Sequence, residues 1–398
     1  MKIRHGAGLL LASSVLLAGC SGFWNAQPSS STNPTTPTTL SSGVFYVLNQ
    51  TTMQIAAYSI SSGTLESVSG SPYTFLSAPS CIAIAPGGGF LYVGTVNGIY
   101  LYNIGSGGAL TIGNNGAAIS FDIPTVMQVE GSWLVDAFAP DATASSVQID
   151  AIPINATNGL YAGSGGATPS QTFINMTNVA VKQLVISPDG NNVFMALGGA
   201  GTIVVPFTAT NSNPLGATAR TIGILNNGGS ALSVAVDPTS RLFYIGETLA
   251  NSSANSGGLR VFNYSSLSGT LTQASGSPIA SGGLAPNAIL PIASGEYVYV
   301  ANGQGNTGSG NVAWFPISAS GTTYTVAAGS KIAAGIQPIG LAEDSEDNFV
   351  LAVSTGGSTS SGDPDLEAYT MSSGTLTAAI TSATGTDPVG AIAIAALP

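Results

Sequence analysis

Three charged side chains carry the candidate chemistry of this sequence. Glu247 ends one predicted strand and Arg260 begins the next, so the two can form a charged pair at one edge of a sheet. Arg220 falls in a long predicted connection and is a third candidate. A carboxylate beside a guanidinium can act on a small polar substrate, but it can equally be a structural ion pair. Both interpretations of these residues stay open.

The composition excludes chemistry that depends on histidine. The only histidine, His5, lies in an N-terminal segment that we expect to be removed. Without it the mature chain has no Ser–His–Asp or Cys–His nucleophile and no His-ligated zinc site. The thiol of Cys81 falls in an apolar predicted strand, where we expect a small buried core residue.

Two acidic clusters offer carboxylates of the kind that bind Ca²⁺. One spans residues 343–347 in a predicted turn, and the other consists of Asp363, Asp365 and Glu367 in a long loop. Neither cluster has the spacing of an EF-hand, and an acidic turn exposed to water explains the first equally well. We therefore predict no cofactor, with Ca²⁺ at the second cluster as the alternative.

The N-terminus has the pattern of an export signal. Lys2 and Arg4 precede an apolar stretch, residues 6–17, that is too short to span a bilayer as a helix. The following letters LAGC, residues 17–20, resemble the lipobox of bacterial lipoproteins. That resemblance implies cleavage after residue 19 and lipidation of Cys20, whereas an ordinary secretory signal is the alternative.

The residues after the cysteine indicate how the protein is held. The sequence from residue 20 to residue 43 is rich in Ser, Thr and Pro and carries no charge, so we interpret it as a flexible tether of about 25–30 Å. Ser21, which stands where an inner-membrane lipoprotein has Asp, resembles the signal for outer-membrane sorting. We expect a protein anchored by lipid in the bacterial cell envelope, in the outer membrane.

The charge balance argues against one class of partner. Without the signal segment, five basic residues face eighteen acidic ones, so the net charge is −13. A field of that sign repels phosphate backbones. We therefore expect no nucleic-acid partner.

From residue 44 onward a set of three strand types repeats seven times. The clearest type is rich in Tyr and apolar residues: FYVLN at Phe45, LYVGT at Leu91, WLVDA at Trp133, NVFMA at Asn192, LFYIG at Leu242, VYVAN at Val298 and FVLAV at Phe349. A strand of alternating large and small residues follows each copy, and a highly apolar strand, commonly introduced by Pro, precedes it. Seven units of about 51 residues predict a single all-β domain, residues 44–398, built as a seven-bladed β-propeller of four-stranded antiparallel blades. One blade is closed by both chain ends.

These repeats resemble a known group. The letters around the apolar strand, the Tyr-rich strand and the SGT turn are similar to those of bacterial seven-bladed propellers of the lactonase and YVTN-repeat type. That group includes proteins like 6-phosphogluconolactonase and cycloisomerase. The resemblance covers residues 44–398 and implies the fold. It also implies a lactonase or cycloisomerase activity on a small sugar-acid lactone, for which no catalytic motif can be matched here.

The connections predict where a site would lie. Short turns lie on one face of the ring and long connections on the other, so we place the site on the long-loop face. Its binding residues are expected to be Asn49, Asp136, Glu247 and Asn302, at the ends of Tyr-rich strands. We predict a binding or assembly module for an envelope protein or a carbohydrate. A lactonase or cycloisomerase is the alternative.

Overall fold

Short alternating strands separated by glycine-containing turns build seven antiparallel sheets in the computed structural model. The structure describes residues 43–61, 64–75, 77–139, 145–163, 169–251, 256–266, 268–303, 309–320, 323–355, 365–380 and 390–398. The predicted signal segment, Cys20, the predicted tether up to residue 42 and Asp363 lie outside these residues. In the described part of the chain no helix is long and apolar enough to cross a membrane, and the helical segments are two 3₁₀ turns, Ser106–Gly108 and Asn114–Gly116.

Each sheet is one blade, and its four strands follow one another outward from the axis of the ring. The innermost strands of blades 1 to 7 are Ala391–Ala396, Pro79–Ile84, Val126–Glu130, Gln183–Ile186, Ala231–Val236, Ala285–Pro291 and Pro338–Glu343. The second strands are Val44–Asn49, Phe90–Thr95, Trp133–Phe138, Asn192–Ala196, Leu242–Glu247, Tyr297–Gly303 and Phe349–Ser354. The predicted seven-bladed all-β propeller is confirmed.

The outer halves of the blades follow the same order. The third strands are Gln54–Ser61, Gly98–Ile104, Ser146–Pro153, Thr202–Pro206, Gly258–Ser265, Ser309–Ser320 and Leu366–Ser372. The outer strands are Thr64–Ser67, Leu110–Ile112, Ser170–Asn175, Arg220–Ile222, Thr270–Gln273, Thr323–Val326 and Thr375–Ile380. Three further strands pair with third strands of blades 1, 5 and 6: Tyr73–Thr74, Ile279–Ala280 and Ser330–Ile336.

The two ends of the described chain close the ring. The last strand, Ala391–Ala396, pairs antiparallel with the first, Val44–Asn49, and Tyr46 stands opposite Ala395. The innermost strands contact each other in sequence round the axis, from blade 2 to blade 7 and back through blade 1. Closure leaves no open edge between first and last blades and holds the C-terminal strand in place.

Burial differs from the expectation in one respect. The highly apolar sequence of the innermost strands predicts burial on both faces, but their residues alternate between buried and half-exposed, as in Pro79–Ile84. The second strands are the most deeply buried, and all six residues of Val44–Asn49 are buried. The reason is position, because a second strand lies between two strands of its own blade and between two neighbouring blades, whereas an innermost strand turns one face towards the axis.

Large side chains of the second strands link neighbouring blades at the face where each innermost strand turns into its second strand, called the turn face below; the third-to-outer connections of blades 3 and 4 on this face, residues 154–169 and 207–219, are longer than predicted. Each of these side chains donates to a carbonyl in the third-to-outer turn of the next blade: Tyr46 Oη to Gly108 (2.8 Å), Tyr92 Oη to Gly159 (3.0 Å), Trp133 Nε1 to Ala209 (2.9 Å) and Tyr299 Oη to Gly374 (3.0 Å). A buried hydroxyl or indole N–H needs such a partner. The turn at Gly374 requires glycine, because its φ is +75° and an added Cβ would lie 2.2 Å from the Tyr297 ring.

Prolines link the blades at the opposite face, called the long-loop face. A side chain of one blade donates to a proline carbonyl at the start of the next innermost strand: Gln50 to Pro79 (3.2 Å), Ser80 to Pro124 (2.6 Å), Ser233 to Pro286 (2.7 Å) and Asn287 to Pro338 (2.9 Å). These bonds use the main-chain carbonyls of the prolines that recur before the apolar strands. They fix the spacing of the blades at the face where the site was predicted.

The predicted division of loops holds only in part. In blade 5 the second strand ends at Glu247 and the third begins at Gly258, as a long connection requires. In blades 1, 2 and 4 the same connection is short and consists of residues 50–53, 96–97 and 197–201. The long-loop face therefore has both long and short connections, and its shape differs from blade to blade.

Candidate functional site

The four predicted binding residues lie beneath the surface, and Asp136, unlike the other three, lies within its strand, Trp133–Phe138, and not near its end. Asn49, Asp136, Glu247 and Asn302 are all 3% exposed or less. Each follows a large buried residue by three positions, but the pairing register differs, because Asn302 stands opposite the anchoring Pro286 whereas Asp136 stands opposite Met127, three residues after Pro124. The residues three positions after the large side chain in blades 1 to 7 are Asn49, Thr95, Asp136, Leu197, Glu247, Asn302 and Ser354, and all are buried.

Asn302 shows what this position does in blade 6. Its Nδ2 donates to the Ser281 carbonyl at 2.7 Å and to Asn311 Oδ1 at 3.2 Å. Its Oδ1 accepts from Ser281 Oγ at 2.6 Å. The carboxamide thereby fastens the link that enters the innermost strand of the same blade. Its hydrogen-bonding groups are used inside the protein.

Glu247 and Arg260 form the expected pair. Arg260 Nη1 lies 3.0 Å from Glu247 Oε1 and donates to the Gly223 carbonyl at 2.8 Å, while its Nε donates to Gln273 Oε1 at 3.3 Å. Burial raises the pKa of Glu247, although Arg260 and the Leu225 N–H oppose the shift. Because Gly223 and Leu225 belong to the link between blades 4 and 5, the pair joins two blades.

The third charged candidate lies elsewhere. Arg220 was predicted in a long connection, but it is the first residue of an outer strand, Arg220–Ile222. It is exposed, and its Nη2 donates to the Gly269 carbonyl in a turn of blade 5 at 2.7 Å. This places Arg220 on the turn face, away from Glu247 and Arg260. The reason is that the preceding link folds back on itself, where Phe207 pairs with Leu215. The residues after the link can then pair with the third strand of blade 4.

Asp136 is brought together with two acids that the sequence did not single out. It stands directly opposite Asp150 in the second and third strands of blade 3. Both are buried, at 1% and 4% exposed, and both lie close enough to Asp122 to be affected by its charge. Asp122 belongs to residues 120–124 of the link between blades 2 and 3 and accepts a hydrogen bond from Ser120 Oγ.

The environment of this acid pair favours a proton. Burial raises the pKa of Asp136 well above its usual value, and the charges of Asp150 and Asp122 add to the shift. Burial also raises the pKa of Asp150, whose Oδ2 accepts from Gln148 at 2.6 Å. Among the described residues, Asp136 Oδ2 and Asp150 Oδ1 have no hydrogen-bond partner. One proton shared between the two carboxyls would give both oxygens a partner, as in paired carboxylates of general acid–base sites.

Large apolar side chains are exposed beside this acid pair. Phe121 is 86% exposed and Ile123 is 46% exposed, on either side of Asp122 in the link between blades 2 and 3. Val96, 53% exposed, lies in the second-to-third turn of blade 2, next to the strand whose Ile99 pairs with Ser120. We call Val96, Phe121 and Ile123 the apolar patch. Exposing apolar side chains to water is unfavourable, and a group of them marks a candidate contact surface.

The remaining candidates have structural surroundings. Cys81 is a free thiol in the innermost strand of blade 2, and burial raises its pKa to about 12, which confirms the expected core residue. Glu367 accepts a hydrogen bond from Tyr369 Oη, and Asp365 is buried. Within the described ranges no group of three acidic, Cys or His side chains is arranged to hold a metal ion. Ca²⁺ at Asp363, Asp365 and Glu367 stays a prediction.

Known structures of the same architecture cover almost the whole chain. A Bacteroides fragilis protein provisionally described as a 6-phosphogluconolactonase matches with a TM-score of 0.66 and 14% identity, over 92% of this chain and 100% of that one. A Bacteroides uniformis protein of the same provisional description matches at 0.65 and 16% identity, over 89% and 99%. The periplasmic gluconolactonase of Pseudomonas aeruginosa matches at 0.63 and 16% identity, over 89% and 99%.

Sequence comparison adds nothing to these likenesses. No protein-family model and no curated protein matches the chain. At 14–16% identity a structural likeness establishes architecture and leaves activity open. The chain therefore has the fold of the seven-bladed, lactonase-like β-propellers.

Proposed function

We propose that this propeller is a lipid-anchored binding module of the bacterial envelope that contacts its partner through the long-loop face. The observation that carries the proposal is the apolar patch of Val96, Phe121 and Ile123, exposed at one end of blade 2. Covering a phenyl ring removes enough apolar surface from water to contribute about 2 kcal/mol to binding. An aromatic side chain so exposed is the kind of residue that dominates contact energies.

The polarity of the chain agrees with this arrangement. Second strands run from the turn face to the long-loop face, and the first of them begins at Val44. The proposed tether would therefore join the ring at the turn face. An anchor at Cys20 would then leave the long-loop face directed away from the membrane. The partner we propose is an envelope protein or a carbohydrate, either of which can cover Phe121.

The test compares two exposed phenylalanines. Purified wild type, Phe121→Ala and Phe173→Ala are immobilised and used to capture components of envelope extracts, and the eluted protein and glycan are quantified. Phe173, 57% exposed on an outer strand of blade 3, is the matched control. We expect Phe121→Ala to lose a partner that wild type and Phe173→Ala retain. Equal capture by all three would remove the basis of the proposal.

The anchor is tested separately. A fatty-acid analogue supplied to cells should label wild type and not Cys20→Ala, and the labelled protein should fractionate with the outer membrane. Absence of label from the wild type would contradict the lipid anchor while leaving the contact surface untouched.

A second candidate function is hydrolysis of a small lactone. The pairing of Asp136 with Asp150 favours it, because burial and the neighbouring carboxylates raise the pKa of Asp136, and a carboxyl that keeps its proton more readily is suited to act as a general acid. Structural neighbours described as gluconolactonases share the fold. A substrate would reach the pair only if residues 120–124 moved, since Asp136 is 1% exposed. If a panel of aldonolactones is hydrolysed by wild type and not by Asp136→Asn, with Phe121→Ala unaffected, the enzyme replaces the binding module.

A further inference from the structure

A cleft opens between blades 5 and 6 on the turn face, opposite the apolar patch. Blades of a propeller diverge from the axis, so their outer strands leave a wedge between them, and here the wedge is an open cleft of about 390 Å³. The residues that matter below are Arg241, Asn263, Ser265, Thr270, Thr272 and Tyr324, all in its lining. Blade 6 contributes Tyr324 from its outer strand, and blade 5 contributes the rest.

One wall of the cleft is formed by an arginine guanidinium and a tyrosine ring. The guanidinium carbon of Arg241 lies 4.8 Å from the centroid of the Tyr324 ring. Arg241 Nε donates to Asp237 Oδ2 at 3.1 Å, which fixes the orientation of the guanidinium. The Asp237 side chain is 0% exposed and that of Arg241 is 31% exposed. The cleft therefore meets a cation–π pair whose positive charge is balanced by Asp237.

The opposite wall is polar and uncharged. Asn263 stands opposite Thr272, and Ser265 opposite Thr270, in the antiparallel pairing of the third and outer strands of blade 5. Both threonines are exposed on this edge strand. Asn263 Oδ1 has no hydrogen-bond partner among the described residues. Exposed hydroxyls thus line the side facing Tyr324, and the Asn263 carboxamide oxygen is buried behind them.

We propose that this cleft binds a neutral saccharide of one or two rings. Tyr324 is half-buried, and the part of its ring that Arg241 does not cover can pack on the apolar face of a sugar ring, while the exposed hydroxyls exchange hydrogen bonds with the edge of the sugar. Because Asp237 balances Arg241, the cleft offers no net positive charge to an anion. Its volume lies within the range of small-molecule sites. The site is on the opposite face from the apolar patch and does not depend on it.

The other side of blade 5 provides an internal control. A cleft of about 240 Å³ between blades 4 and 5 also contains an arginine, Arg220, together with Pro206, Thr218 and Ser268. No aromatic ring is among its lining residues. If an arginine beside hydroxyls were sufficient, both clefts would bind. The proposal requires the ring of Tyr324 and so predicts binding at one cleft only.

Saturation-transfer NMR and calorimetry with neutral mono- and disaccharides test the proposal, with glucuronate beside glucose to measure the effect of charge. We expect a neutral sugar to bind, glucuronate to bind at least tenfold more weakly, and both Tyr324→Ala and Thr272→Val to weaken binding at least tenfold. Arg220→Gln and Phe173→Ala should leave it unchanged. Thr272→Val changes one exposed side chain at constant volume, so its loss of binding cannot be a loss of fold.

Each contrary outcome overturns the inference. If no neutral sugar in the panel binds, or if glucuronate binds more tightly than glucose, the ligand class is wrong. If binding persists in both Tyr324→Ala and Thr272→Val, the site is elsewhere. Loss of sugar binding in Phe121→Ala would assign the sugar to the long-loop face and so support the proposed function instead.

Discussion

The stability of this protein should fall as the pH rises from 5 to 8, and Glu343 is the residue at which this is most directly tested. Its side chain is 1% exposed at the end of the innermost strand of blade 7. Glu343 Oε2 accepts from the Ala293 N–H at 3.0 Å, whereas Oε1 has no hydrogen-bond partner among the described residues. Burial, with smaller contributions from Asp347 and Asp344, raises its pKa from 4.5 to about 8.

The sign follows from proton binding. Between pH 4.5 and pH 8 the folded state holds a proton at Glu343 that the unfolded state has released. Stability therefore decreases with pH in this window, by up to 1.36 kcal/mol per pH unit, and the contribution is fully present only below 4.5. Between pH 5 and pH 8 this amounts to at most about 4 kcal/mol. Glu130, whose pKa burial raises to about 7, acts in the same direction.

Glu343→Gln isolates the effect, because glutamine has the shape of the protonated acid and keeps an acceptor for Ala293. Urea unfolding is measured from pH 5 to pH 9 for wild type, Glu343→Gln and Glu296→Gln, the last an exposed acid in the neighbouring turn. We expect Glu343→Gln to match wild type at pH 5 and to exceed it by about 3 kcal/mol at pH 9. Glu296→Gln should parallel wild type throughout. A constant difference between Glu343→Gln and wild type at every pH would refute the reasoning.

Three further outcomes are expected. Tyr299→Phe, which leaves the Gly374 carbonyl without its donor, should lower the free energy of unfolding by about 1–2 kcal/mol, and an unchanged urea midpoint would contradict the role of that bond. Arg260→Met should cost about 3–5 kcal/mol because it strands the buried Glu247 carboxylate, and adding Glu247→Gln should recover much of that loss; additive costs would show that the pair is not coupled. Cys81 should react with a thiol reagent at pH 8 only in denaturant, and fast labelling of the native protein would show that the blade opens.

The architecture was predictable because its signals are local and repeated. Each second strand carries a continuous apolar run, and each third-to-outer turn carries glycine, so the letters around Tyr299 and Gly374 indicate the same unit as those around Tyr46 and Gly108. The bond between a tyrosine and the glycine of the next blade was not predictable, because it joins residues about 60 to 75 positions apart. The burial of the innermost strands was misjudged for the same reason, because the order of strands along the chain does not show which neighbouring strands cover them.

The site was predicted less well than the fold. Asp136 was identified from its place at a predicted strand end, but its partner Asp150 was missed, although a hairpin places the two opposite each other. The signal was present in the sequence, because Gln148 and Asp150 are two positions apart and so lie on the same face of their strand. This face is buried at Asp150. Arg220 was misplaced because nothing in the letters before it marks the fold-back of its link.

Repetition itself separates architecture from function in this protein. Six of seven blades place a buried polar residue three positions after a large side chain. The hydrogen bonds of two of these residues, Asn302 and Glu247, are made to other residues of the propeller. A residue type that recurs from blade to blade serves a structural role that recurs from blade to blade, which here is to hold a connecting link against its blade. A ligand occupies one place and breaks the symmetry. The groups suited to bind it are therefore those without counterparts, the exposed Phe121 on one face and Tyr324 beside Arg241 on the other.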